Sequence, residues 1–247
     1  MTIDLNCDLG EGAGRDVELM PLVTSANIAC GAHAGDEPSM RAAVRLARRH
    51  GVAIGAHPGF ADRSGFGRRE QALTPAEARE LVLTQVSVLR RIAAEEGCAV
   101  GHVKLHGAFY NQAARDPVLA EAVHAAVLEA GVPVLLVPAS SVQERISRER
   151  GGLAVVAEVF ADRAYLADGS LAPRALPGAV IGDEATAVRQ VARLVREGRV
   201  RAITGEDVLL RGGTVCLHGD GVRAVEFARR LREALTAMSV EVKAFSL

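Results

Sequence analysis

Short apolar runs rich in Val and Ile alternate with segments of helical periodicity from one end of the chain to the other. The runs predict strands at 3–7, 26–30, 53–57, 102–105, 132–137, 153–159 and 214–217. Between them, Thr74-Pro75-Ala76-Glu77 combines a capping box with Pro at the first helical position, and predicts a long helix closing near Gly97. Asp116-Pro117 opens another that stops at Gly131, and 39–51 makes a third with Met40, Ala43, Val44 and Ala47 on one face. A further helix is expected between Ile181 and Gly198, while 199–213 reads as a strand pair or a capping loop. This alternation predicts an α/β protein with a mainly parallel sheet. No Pro/Gly/Ser tract divides the chain, so a single domain over 1–247 is expected. Periodicity alone does not choose between an open doubly wound sheet and a closed barrel.

The polar residues cluster at strand ends. Strand after strand closes with an apolar run, one or two ionisable residues and then glycine: Asp8-Leu9-Gly10-Glu11, His33-Ala34-Gly35, His57-Pro58-Gly59, Lys104-Leu105-His106-Gly107, His218-Gly219-Asp220. The sixth strand leads into Glu158, Asp162 and Arg163, and the fifth, ending in Ser140-Ser141, lacks a charge. In parallel α/β folds the carboxyl ends of the strands form one rim where ligands bind. Four of the seven histidines (His33, His57, His106, His218), the acids Asp8, Glu11, Glu158, Asp162 and Asp220, and Lys104 are therefore expected to share a cleft; His50 and His124 fall in helices and His102 near a strand start. One carboxylate with two imidazoles suits a divalent metal that acidifies water or polarises a carbonyl. The same groups also suit metal-free acid/base chemistry, with Lys104 holding an oxyanion or an anionic group. A lysine placed so deep needs a carboxylate or substrate partner, and pairing with Glu158 is its structural alternative.

Composition narrows the function. A net charge of −1 gives no electrostatic case for nucleic acid, and the two lysines among 29 basic residues leave arginine spread along helix faces. Four cysteines without C-x-x-C spacing read as buried thiols. No apolar run reaches the ~18 residues of a membrane span, and the acidic start MTIDLNCDLGEG is unlike a signal peptide, so a cytoplasmic protein without membrane association is expected. The loop 60–69, with two internal glycines and three arginines, suits a flexible flap that binds an anion, or a solvated surface loop. Gly10, Gly12 and Gly14 do not make a nucleotide loop, because no G-K-[ST] follows.

The segments DLNCDLGEG, TSANIACGAHAGD, GVAIGAHPGFADRSGFGRR, HVKLHGAFYN, EVFADRAYLADGSLAPR and CLHGD together resemble the LamB/YcsF family. Ala32 and Phe109 depart from the family's usual residues but touch no ionisable position. The resemblance implies a distorted seven-stranded (β/α) barrel of the glycoside hydrolase/deacetylase type. It implies the A component of an ATP-dependent 5-oxoprolinase, which opens the lactam 5-oxo-L-proline to L-glutamate with B and C subunits and ATP as co-substrate of the complex. By superfamily analogy Asp8, His57 and His106 are candidate metal ligands. The catalytic candidates are Asp8 or Asp220 as base, His106 and His218 as acid/base or oxyanion partners, and Lys104; Glu11, His33, Arg68, Glu158 and Arg163 are candidates for binding the substrate. The alternatives are a stand-alone metal-dependent amidohydrolase or carbohydrate deacetylase, and a non-catalytic binding module. A homo-oligomer is compatible with all of them.

Overall fold

In the computed structural model, which describes residues 1–219 and 223–245, seven parallel strands close into a barrel. They are β1 (Thr2–Leu9), β2 (Ser25–Ala29), β3 (Ala53–His57), β4 (His102–Lys104), β5 (Val134–Pro138), β6 (Ala154–Phe160) and β9 (Thr214–Leu217). Closure comes from β9, which pairs with β6 on one side and with β1 on the other. Between β6 and β9 an antiparallel hairpin, β7 (Arg199–Arg201) with β8 (Asp207–Leu209), resolves the ambiguous 199–213 region as a strand pair. A short β10 (Glu241–Val242), which periodicity does not predict, adds to the start of β1.

The helices are α1 (Asp16–Leu19), α2 (Glu37–His50), α3 (Pro75–Glu95), α4 (Gly107–Arg115), α5 (Pro117–Glu129), α6 (Val142–Arg150), α7 (Glu184–Glu197) and α8 (Ala224–Ala237). Their starts follow the sequence signals: Thr74 and Glu77 close a capping box, Asp36 and Ser39 close another, and Asp116 accepts from the amides of Val118 and Leu119. Gly51 and Gly198 end α2 and α7 in the left-handed conformation. No helix among the described residues is long and apolar enough to cross a membrane.

The first barrel strand, β1, has two buried faces of opposite character. On β1 the odd positions Ile3, Leu5, Cys7 and Leu9 join the apolar core under the helices, with Ile28, Val44, Val82, Leu89, Val103, Val123 and Leu231. The even positions Asp4, Asn6 and Asp8 point into the barrel, where they meet Ser25, Asn27, Lys104, Glu158 and Thr214 from other strands. The barrel axis is thus a chain of hydrogen bonds. Asp4 accepts from Thr24, Ser25 and Thr214; Thr214 and Asn6 are joined at 2.7 Å; Asn27 donates to both Asn6 and Asp8. His102, also in the lumen, meets Asn27 Oδ1 at 2.8 Å. Room for its ring comes from Gly55 on the neighbouring strand, where a Cβ would lie 2.0 Å from His102 Nε2. With the exception of Thr24 these groups are buried, so each hydrogen bond avoids a desolvation penalty of about 1–3 kcal/mol.

Candidate active site

The chain of polar groups ends upward at Lys104. Its ammonium donates to Asp8 Oδ1 at 2.8 Å, lies 3.0 Å from Glu158 Oε1 and 3.0 Å from Cys216 Sγ, and sits over the Phe160 ring. Burial disfavours its charge, but the carboxylates of Asp8 and Glu158 outweigh that and raise its pKa well above the ordinary value. Lys104 therefore stays an ammonium ion. Asp8 is held the other way: burial raises its pKa, His57 and Lys104 more than offset this, and it falls well below the usual carboxylate range. Tyr110, one turn into α4, donates its hydroxyl to Glu158 Oε2 at 2.6 Å. Burial and the Glu158 charge push that phenol well up, so it remains protonated.

Three histidines meet beside Asp8. His57 Nδ1 lies 2.8 Å from the Lys104 carbonyl and His106 Nε2 lies 2.9 Å from the Phe66 carbonyl; a carbonyl only accepts, so both nitrogens carry hydrogen. Their other nitrogens, His57 Nε2 and His106 Nδ1, face each other at 2.9 Å. That short contact requires a proton or a cation between them. A proton makes His57 an imidazolium, with Asp8 Oδ2 3.3 Å away. Burial opposes that charge, Asp8 favours it more strongly, and the pKa of His57 is raised, whereas burial and its two neighbouring imidazoles push His106 down to about 2. His33 stacks on His106 at 3.7 Å and meets Glu11 Oε1 at 3.2 Å.

Glu11, His33, His57 and His106 present donor atoms that all lie within 4.8 Å of one another. Outer nitrogens tied to backbone carbonyls, as on His57 and His106, are the usual support for metal-binding imidazoles, so this donor set fits a divalent ion. It overlaps the expected trio at His57 and His106. Glu11 and His33 complete it, while Asp8 borders it with Oδ1 committed to Lys104 and Asn27.

On another wall, His218 Nδ1 lies 2.8 Å from Asp162 Oδ2 and its Nε2 lies 2.9 Å from Arg174 Nη2. Asp8, Glu11, His57, Lys104, His106, Tyr110, Glu158, Arg174 and His218 open onto one cleft of about 690 Å³, within the size range of small-molecule sites, and His33 and Asp162 contact its wall through Glu11 and His218. Arg68, Arg163 and Ser140 also line it. Arg68 is exposed at the mouth and lies over the Phe66 ring. The Arg163 guanidinium is buried and donates to the carbonyls of Ala172 and Ala179, so it fastens the segment after β6. Asp220 lies outside the described residues.

The loop 60–69 differs from the flexible flap its composition suggests. Arg69 pairs with Asp62, Arg63 donates to the carbonyls of Gly31 and Gly35, and Ala108 N donates to the Gly67 carbonyl. Two of its three arginines are thus consumed in fixing it, and the loop serves as a clasp that orients His106.

Sequence reasoning missed Asn6 and Asn27, although Asp4-x-Asn6-x-Asp8 is a period-2 signal for one polar strand face. Tyr110 was visible as the residue one helical turn after His106. Arg174 lies in an irregular segment and left no such signal.

A model of the LamB/YcsF family matches residues 3–247. The A subunit of 5-oxoprolinase from Bacillus licheniformis is 47% identical over 249 positions, covering 99% of this chain and 98% of that protein. The crystal structure of a lactam utilization protein from Thermus thermophilus has a TM-score of 0.91 at 48% identity, covering 99% of this chain and 100% of that one. A family 4 carbohydrate esterase from Streptomyces lividans, solved with acetate, has a TM-score of 0.53 at 11% identity over 99% of this chain and 93% of its own, which marks a shared barrel fold. The chain belongs to the LamB/YcsF family.

Proposed function

We propose that this protein is the A component of an ATP-dependent 5-oxoprolinase, which opens 5-oxo-L-proline to L-glutamate together with B and C subunits. The observation that carries the reading is the end-to-end identity of 47% to a protein named as the A subunit of 5-oxoprolinase. A cleft whose floor is a buried ammonium ion between two carboxylates supports it.

Opening a lactam requires a nucleophile at the carbonyl carbon, charge stabilisation at the carbonyl oxygen and a proton for the departing nitrogen. An unstrained amide is a poor electrophile, and phosphorylation of its oxygen by ATP turns that oxygen into a leaving group. Lys104, fixed by Asp8, Glu158 and Cys216, faces the cleft as the positive group for the developing oxyanion, with the Tyr110 hydroxyl beside it. Asp8 is too strong an acid to serve as base and acts as the charge partner of Lys104 and His57. His106, held neutral and already accepting from His57, orients the cleft's inner wall. His218, backed by Asp162, is the base. Arg68 at the mouth suits the phosphoryl group of the activated lactam. Glu11, His33, His57 and His106 would hold a divalent ion in place of the His57 proton, and that ion would polarise a carbonyl or acidify water.

The test is glutamate release from 5-oxoproline by the purified chain with its B and C partners, with and without ATP. ATP-dependent release is expected from the three together. Turnover of an N-acetylated sugar or a simple amide by this chain alone, without ATP and with one bound metal ion, would replace the reading by the hydrolase one that the Glu11 and histidine cluster favours.

A further inference from the structure

His218 is gripped from both sides by groups of opposite character. Asp162 offers two oxygens to Nδ1, at 2.8 and 2.9 Å, and a carboxylate only accepts, so Nδ1 carries the hydrogen. Arg174 Nη2 stands 2.9 Å from Nε2, and a guanidinium only donates, so Nε2 presents its lone pair to Arg174. The neutral imidazole is the form that satisfies both neighbours. Its ring is fixed further by stacking on Phe160, with centroids 5.6 Å apart. The dyad is therefore in place, while the lone pair that base chemistry needs is covered.

Arg174 belongs to the segment between β6 and α7, is exposed, and lines the cleft with His218. Guanidinium binds a carboxylate through two charge-assisted hydrogen bonds, each stronger than one bond to a neutral ring nitrogen. We infer that Arg174 is the substrate's carboxylate receptor, and that its transfer from His218 Nε2 to that carboxylate uncovers the base. The inference rests on the reading of the cleft as a 5-oxoproline site. Once uncovered, Nε2 takes a proton from water. The electron pair of the broken O–H bond forms the bond to the carbonyl carbon and the C=O π pair moves to oxygen beside Lys104; as that pair returns to re-form C=O, the C–N bond breaks with its electrons on the ring nitrogen, which takes the proton from Nε2. A lactam without a carboxylate leaves the lone pair covered, so the device links recognition to reactivity. Arg174 is a positioning and specificity residue.

The test labels the histidine rings of the full-length chain with ¹⁵N and assigns His218 by its loss in His218→Gln. Adding 5-oxoproline to the wild type is expected to move the Nε2 resonance toward that of a lone pair without a donor, and 2-pyrrolidinone is expected to leave it in place. In Arg174→Ala the resonance should start at the moved position and no longer respond, and Arg174→Lys should respond partly. In the reconstituted complex Arg174→Ala is expected to lose about 10–100-fold in kcat/KM. Acetate, a carboxylate without the ring, should move the wild-type signal where chloride at equal ionic strength does not, which separates this step from the identity of the lactam. Binding of 5-oxoproline with no change at His218, or equal affinity in wild type and Arg174→Ala, overturns the inference and leaves the oxoprolinase reading intact. An acetate response without 5-oxoproline binding overturns the substrate and keeps the Arg174 step.

Discussion

Replacing Lys104 by Met keeps the length of the side chain and removes a positive charge that touches both Asp8 and Glu158, 2.8 and 3.0 Å away. Breaking a buried ion pair from one side costs about 3–5 kcal/mol, because the remaining charge is left uncompensated. Here two carboxylates are left, only one of which also faces His57. The loss should depend on pH with a defined sign. In the wild type the depressed pKa of Asp8 stabilises the fold above the unfolded value of ~3.9, and that contribution fades as pH falls through the folded one. Without Lys104 the carboxylate pair binds a proton more tightly when folded than when unfolded. The variant is then penalised as pH rises above ~4, by up to ~1.4 kcal/mol per pH unit for each proton retained. The deficit of Lys104→Met should therefore be about 3–5 kcal/mol near pH 8 and shrink steadily toward pH 5. The chain has no tryptophan, so urea unfolding followed by far-ultraviolet circular dichroism at several pH values is the suitable assay. Adding Glu158→Gln should recover part of the loss at pH 8. A deficit independent of pH, or below about 1 kcal/mol at pH 8, would refute the view of Lys104 as the neutraliser of this pair.

Gly107 has φ +57° and a Cβ there would lie 2.5 Å from the Gly67 carbonyl oxygen, so Gly107→Ala should displace the clasp that orients His106. Its left-handed backbone alone costs about 1–2 kcal/mol, read as a lower thermal midpoint; an unchanged midpoint would mean that the loop gives way freely. Asp162 is raised by burial but lowered more by His218 and Arg174, so its net pKa is depressed. Asp162→Asn should therefore cost about 1–2 kcal/mol at pH 7, and the difference from wild type should vanish as pH falls below ~4; a deficit that grows in acid has the wrong sign. Elemental analysis after exposure to zinc or manganese should find about one ion per wild-type chain and little in the double variant His57→Ala/His106→Ala, whereas equal loading of both would remove the Glu11 and histidine cluster as the metal site.

The rim was legible because glycine follows an ionisable residue at the end of one strand after another, and the structure places Asp8, Lys104, His57 and His106 around one cleft. The strands themselves read as apolar runs, since their outward positions such as Leu5, Ile28 and Leu135 are apolar and buried. Closure was not legible from periodicity, because a strand covered on both faces looks alike in an open sheet and in a barrel. The family resemblance supplied that choice, and the pairing of β1 with β9 bears it out. The lumen was overlooked for another reason. Asn6 and Asn27 carry no charge, and their importance comes from partners in distant parts of the chain, such as Glu158 and Thr214 for Asn6 and His102 for Asn27. Arg63 and Arg69 misled in the opposite direction, since composition counts their charges without revealing that Asp62, Gly31 and Gly35 consume them.

The hydrogen-bonded lumen also shapes how the protein comes to be active. Asn6 meets Thr214 across 208 positions of chain and Asp4 meets the same residue across 210, so the axis is complete only when the last barrel strand docks against the first. An arc of six strands that lacks β9 would leave Asp4 and Asn6 short of partners, and such buried gaps are costly. Half-closed forms are therefore disfavoured relative to both the open chain and the finished ring. Because β9 also brings Cys216 to Lys104 and leads into His218, the candidate cleft and the closed barrel arise in the same cooperative step. Enzymatic activity recovered during refolding should then rise in parallel with ring closure, with no earlier fraction of partly competent molecules.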